Sequence, residues 1–295
     1  MNRSLLIVTF SITLLVVAGF WGCGDANGTN GDNEPDTTAP VVLNGDTIPE
    51  DRIVRDSAEY VIEIDLSNMG ISDPNCLSGV ELYSELQVLI IAYNNLTSVD
   101  LSPLSSCKEI RGIDIGHNIL TSIDLSPLNS CTNLEALLVD HNNLSSIDFS
   151  ALAVCINMER LAICNNLLTS IDLSPLDSCT NLEMLWFNCN DLGSIDLSPL
   201  DSCFDLEHLY LFDNCLTAID LSPIWDVDSL EYLYLFGNYL DSVSCAHVCD
   251  FHYEHPGCYF TSDCHCGGKS ATKKNHASEI TIDGAENNPR CKTKE

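Results

Sequence analysis

Basic residues are scarce in this chain: 12 Lys and Arg stand against 43 Asp and Glu in 295 residues, a formal net charge of −31. A field of that sign repels nucleic acid and anionic membrane surfaces and favours cations and basic partners. Apolar runs stop short of a membrane span. The longest, from Leu5 to Phe20, covers 16 residues, whereas a spanning helix needs about 20. Catalytic signatures are also missing: there is no Gly-rich phosphate loop, no GxSxG and no HExxH. No catalytic residue, cofactor or metal site is therefore assigned, and no enzyme is expected. Apolar residues are not scarce. They make up 45% of the chain, so the acidity does not signal disorder.

The first 23 residues read as an export signal, with Arg3 ahead of the apolar run and Cys23 directly after it. Phe20-Trp21-Gly22-Cys23 resembles the lipobox of bacterial lipoproteins, although that family usually has Leu and a small residue where this chain has Phe20 and Trp21. The resemblance implies lipidation of Cys23 and attachment to the outer or cytoplasmic membrane of a bacterium. An ordinary secretory signal, cut near Ala18 or Gly19, is the alternative. Residues 24–55 are rich in Gly, Asp, Asn, Thr and Pro and read as a flexible acidic linker. Their carboxylate spacing does not fit a calcium loop of the EF-hand type.

Residues 56–244 repeat, in about eight coils. An Asn recurs every 24 residues, at Asn94, Asn118, Asn142, Asn166, Asn190, Asn214 and Asn238. Apolar residues keep step five and three positions before it, as in Leu185 and Phe187, and two after it, as in Leu192. Alternating apolar residues share one face of a short strand. An Asn amide both donates and accepts, so a column of them can satisfy backbone groups at the turn that follows each strand and groups of the next coil. Ser-Pro pairs such as Ser126-Pro127 and Ser198-Pro199 read as starts of short helical turns on the return stroke, with Ser as the cap.

This LxLxxNxL pattern, in seven copies over roughly 180 residues, resembles the leucine-rich-repeat family. The resemblance implies an α/β solenoid, a horseshoe with a parallel β-sheet on the concave face and short helical turns on the convex face. It also implies that partners bind the concave face. Cys107, Cys131, Cys155, Cys179 and Cys203 keep the same 24-residue step, and Val227 takes the next place. That substitution marks a buried apolar position, so these thiols are expected free in the core. Asp100, Asp124, Asp148, Asp172, Asp196 and Asp220 also recur. They read either as hydrogen-bond acceptors for groups of their own coil, such as Thr121 or Ser122, or as a calcium-binding ladder.

The residues between the core leucines are small and mixed in the earlier coils, as at Gly112, Asp114, Gly116, His117, Ala136 and Asp140. In the later coils they become large: Met184, Trp186, His208, Tyr210, Phe212, Tyr232, Tyr234 and Phe236. An exposed aromatic patch of this kind marks an interaction site. Cross-strand stacking that stabilises the end of the sheet is the other reading.

The final segment, 245–295, holds Cys245, Cys249, Cys258, Cys264, Cys266 and Cys291 among several His. In an exported chain six Cys imply a disulfide cap over the open end of the solenoid. Zinc is the rival, but no CxxC pair is present.

The expectation is a monomeric, non-enzymatic binding module of the cell envelope. Its partner would be a protein or peptide, with a basic one suiting the charge. The alternatives are an envelope scaffold or adhesion protein, or a Cys/His metal module carried on the repeat.

Overall fold

A computed structural model describes residues 40–264. The signal segment with Cys23, the linker up to residue 39, and Cys266 and Cys291 lie outside the described residues.

The repeat folds as its period requires. β4 (Val61–Asp65), β5 (Val88–Ile90), β6 (Gly112–Asp114), β7 (Ala136–Leu138), β8 (Arg160–Ala162), β9 (Met184–Trp186), β10 (His208–Tyr210) and β11 (Tyr232–Tyr234) pair in parallel, one per coil. From β5 to β11 the register offset equals the repeat, so that Leu161 faces Leu185 and Leu185 faces Leu209. Identical positions therefore stack into columns. The core leucines, from Leu89 to Leu233, are fully buried, and the return strokes are short 3-10 turns such as Ser126–Ser130 and Ser198–Leu200. This is a leucine-rich-repeat solenoid.

The Asn column works by bridging coils. The Asn190 amide donates to the carbonyls of Phe187 in its own coil and Ile163 in the preceding one, at 3.1 and 3.0 Å, and accepts from the Leu168 N–H at 3.1 Å. Asn118, Asn142, Asn166 and Asn214 repeat that pattern. The bridges run back to the preceding coil rather than on to the next. The residue before each Asn takes the left-handed conformation, with φ between 51 and 57° from Tyr93 through His117, His141, Asn165 and Cys189 to Asp213.

The turn caps are exchanged relative to the sequence reading. Ser does not cap with its side chain. Asp124 Oδ1 instead accepts the Ser126 N–H at 2.9 Å, and all six Asp of the column do the same to the Ser two places on. A carboxylate is the stronger acceptor there, and each is held below its ordinary pKa by hydrogen bonds with that Ser, the N–H leading at Asp100, Asp124, Asp172 and Asp196 and the hydroxyl leading at Asp148 and Asp220. The cysteine column is free and fully buried. Each of the last three thiols faces the carbonyl of the previous one, at 3.3 to 3.5 Å. Burial pushes the thiols of Cys107, Cys155 and Cys203 up to about 12.

Both ends extend beyond the boundaries read from the sequence. Residues 40–55, assigned to the linker, form a cap. A hairpin of β1 (Val42–Leu43) and β2 (Asp46–Thr47) buries Val41, Leu43 and Ile48 against the first coil, and β3 (Ile53–Arg55) pairs antiparallel with β4. Gly79 permits the close approach: its φ is 105°, and a Cβ there would stand 2.8 Å from the Val42 carbonyl. The three apolar residues needed a partner, and the polar residues around them hid that need. At the other end α1 (Ser242–Glu254) is capped by Asp241, whose side chain accepts the Ser244 N–H. It buries Val248 and Phe251. β12 (Tyr259–Thr261) then adds a tenth strand to the sheet.

The C-terminal cysteines divide unevenly. Cys245 and Cys264 form a disulfide, and Cys249 is also disulfide-bonded. Cys258 is not: it is a free thiol buried in the end of the core, where burial raises it to about 11. Cys215, which follows the Asn214 of the repeat, is disulfide-bonded instead. The even count of six therefore grouped the cysteines by position in the chain, whereas the fold groups them by depth.

Candidate functional site

Three columns of each strand and its following turn face away from the core, at six, four and two residues before the Asn. In the later coils they become aromatic together. Trp186, Tyr210 and Tyr234 form one stack, with ring centroids 5.9 and 4.7 Å apart and planes within 17° of parallel. His208 and Tyr232 stack beside them at 4.7 Å, and Phe212 and Phe236 on the other side at 4.7 Å. Met184 begins the His208 column. All eight residues expected at this site thus share one continuous surface, set by the sheet register.

The rings are half-buried rather than fully exposed. Both faces of Tyr210 are covered, by Trp186 and Tyr234, so the surface presents ring edges and hydroxyls. The Tyr210 hydroxyl lies 3.0 Å from His208 Nδ1. Burial pushes the phenol of Tyr234 up to about 12 and that of Tyr210 further, while burial lowers the pKa of His208. These phenols are neutral donors at neutral pH, and an uncharged His208 matches them. The indole N–H of Trp186 is buried and has no hydrogen-bond partner among the described residues.

Two sets of residues belong to this surface and were missed in the sequence. Tyr259, 49% exposed, continues the face in β12, with centroids 5.9 Å from Tyr232 and from Tyr234. It follows Tyr232 by 27 residues, not 24, because α1 intervenes, and so it falls off the repeat. Glu135, Glu159, Glu183, Glu207 and Glu231 form a carboxylate column along the entry edge of the strands. That column was legible as a 24-residue period. Arg111 pairs with Glu135, and Arg160 is gripped by Glu159 and Glu183, at 2.9 Å each. Near the aromatic half, Glu207 Oε2 lies 3.9 Å from His208 Nε2. Asp213, raised by burial and by Asp263, borders the opposite edge.

The earlier coils differ. Val88, Ile90 and Ala92 form a small apolar cluster with Leu138. Beside it lies the one group among the described residues with ligand atoms placed for a cation: His117, Asp140 and His141, all within 4.8 Å of one another. The Asp column of the convex turns does not gather in this way. Asp114, half-buried next to this group, is raised to about 7 by burial, with Asp140 and Asp65 adding to the rise.

The family model described as leucine rich repeat matches residues 84–144 and 180–240, and the same 24-residue period runs through both segments and between them. No curated protein matches the chain. Among solved structures it is similar to an internalin, InlF, of Listeria monocytogenes strain 4b F2365, at 20% identity and a TM-score of 0.49. That match covers 70% of this chain and 64% of the other, so the chain spans under two thirds of that relative's length. An internalin C2 of the same strain aligns at 24% identity with a TM-score of 0.40, covering 60% and 79%. A leucine-rich-repeat protein of Leptospira interrogans aligns at 16% identity with a TM-score of 0.46, covering 71% and 69%.

Proposed function

We propose that this chain is a non-enzymatic binding module that takes a protein or peptide segment carrying basic residues on the aromatic half of its concave sheet. The carrying observation is one juxtaposition: three stacked aromatic columns bordered by Glu183, Glu207 and Glu231 on one edge and Asp213 on the other. Ring edges and phenol hydroxyls supply rigid contact area that loses little side-chain entropy on binding. The carboxylates add charge attraction, which steers a cationic partner and weakens as salt rises. The stacking closes the faces of the inner rings to a cation, so the basic side chains meet the acidic edge while apolar ones meet the rings. Export and an N-terminal lipid anchor at Cys23 place this face at the cell envelope in this reading, with the monomer as the working unit. A scaffold that uses the convex side is the second reading. The Cys245–Cys264 disulfide favours a covalent cap over a zinc module in the tail.

The test is a cross-linking pull-down from envelope extract. The parent is compared with Trp186→Ala/Tyr210→Ala/Tyr234→Ala and with Glu207→Gln/Glu231→Gln, which leaves the stacks intact. Folding is checked by circular dichroism. A partner captured by the parent is lost in the triple variant, where each anchor ring is worth about 2 kcal/mol or more. The glutamine variant binds it more weakly at low salt and equally at high salt. The same partners in all three proteins would move the function to the convex side.

A further inference from the structure

We propose that His117, Asp140 and His141 form a binding site for a divalent transition metal of the zinc type, separate from the aromatic surface. His117 and His141 each precede the structural Asn of neighbouring coils, and the 24-residue register stacks their rings at 4.0 Å. Asp140 sits between them: its Oδ2 lies 2.7 Å from His141 Nδ1 and 3.6 Å from His117 Nε2. Two imidazole nitrogens and one carboxylate oxygen suit zinc, copper or nickel, whereas calcium and magnesium prefer oxygen alone.

The surroundings are shaped for the group. Gly116 fills the column position where other coils carry larger side chains. A Cβ there would stand 2.8 Å from Asp140 Oδ1 and 3.1 Å from Asp114 Oδ1, so glycine makes the room the carboxylate occupies. The Asp140 side chain is only 10% exposed, while the imidazoles are 27% and 32% exposed. An ion can therefore arrive past the rings to a carboxylate that is already held. Tyr93 stacks on the other face of His117 at 4.1 Å.

Zinc bonds of about 2.0–2.2 Å require ligand atoms somewhat over 3 Å apart. Binding thus draws His117 inward and tilts one ring out of the parallel stack. The contact between His141 Nδ1 and Asp140 gives way to two bonds to the metal. Bound through Nδ1, the neutral His141 ring carries its proton on Nε2. Three protein ligands leave a fourth position for water or a donor from a partner.

Zinc chloride is titrated into the full mature protein by calorimetry, beside His117→Asn, His141→Asn and the double variant. Asn is compatible with the left-handed backbone at both places, because Asn165 occupies the same position in the coil after His141, with φ of 54°. Circular dichroism confirms the fold. The parent is expected to bind one more zinc than the double variant, and each single variant to bind it at least about tenfold more weakly. Cobalt at that site gives a nitrogen and oxygen spectrum without thiolate charge transfer, and the double variant loses it. Equal stoichiometry and affinity in parent and double variant, no binding by the parent, or a spectrum dominated by thiolate would each overturn the proposal.

Discussion

Replacing Asn190 by Ala removes a side chain that is fully buried and makes four recorded hydrogen bonds. The groups it leaves behind are not equally deprived. The Ile163 carbonyl still accepts from Asn166 at 3.2 Å, and the Phe187 carbonyl from Asn214 at 3.0 Å. The Leu168 N–H, in contrast, loses the one acceptor the structure shows for it. An orphaned buried donor costs about 1–3 kcal/mol, and each of the two carbonyl bonds about 0.5–1.5 kcal/mol. The expected loss is therefore about 2–6 kcal/mol, measured by urea denaturation followed by circular dichroism. Asn238 makes the same bonds to Leu211, Leu235 and Leu216 but is half-exposed. Water can replace its amide, so Asn238→Ala should cost clearly less than Asn190→Ala. Ser170→Ala, on an exposed position, should stay within about 0.5 kcal/mol. A loss below about 1 kcal/mol at Asn190, or equal losses at Asn190 and Asn238, would refute the view that the column holds the coils together by satisfying buried backbone.

Further outcomes follow from the caps. Asp172 is held below its ordinary pKa by the Ser174 N–H and hydroxyl. A carboxylate depressed in the folded state contributes stability above its unfolded pKa and loses that contribution as pH falls through the folded one. Asp172→Ala should therefore be less stable than the parent at pH 7, with the gap closing below about pH 4. Thermal unfolding at stepped pH reads it, and a gap independent of pH would contradict the hydrogen-bond assignment. Reducing the Cys245–Cys264 disulfide, whose partners are 19 residues apart, should destabilise the C-terminal cap by about 3 kcal/mol. Hydrogen exchange should then rise first in α1 and β12, while protection in β6 to β8 is unchanged, because coils contact only their neighbours.

The sheet and its columns were legible because every coil spells the same physics. An Asn at a fixed offset and apolar residues on one strand face leave little choice of fold, and the eight aromatic-site residues follow from the same register. The ends were not legible, because capping is done once. Val41, Leu43 and Ile48 are spaced among turn residues, and their partner, the first coil, is recognisable only in three dimensions. The exchange between Cys258 and Cys215 is of the same kind: depth decides which thiol pairs, and sequence position does not report depth. The left-handed column was within reach. His, Asn, Asp and Gly hold five of the seven places before the structural Asn, and all four are enriched in that conformation. Reading that column would have placed His117 and His141 side by side.

The central claim is that the aromatic half of the concave sheet holds the partner. A photoreactive phenylalanine at Tyr210 tests it most directly, against the same probe at Val154, on an exposed convex turn. Illumination in envelope extract should join a partner to the probe at 210 and not to the probe at 154. A partner joined only at 154 would contradict the claim and assign recognition to the convex side.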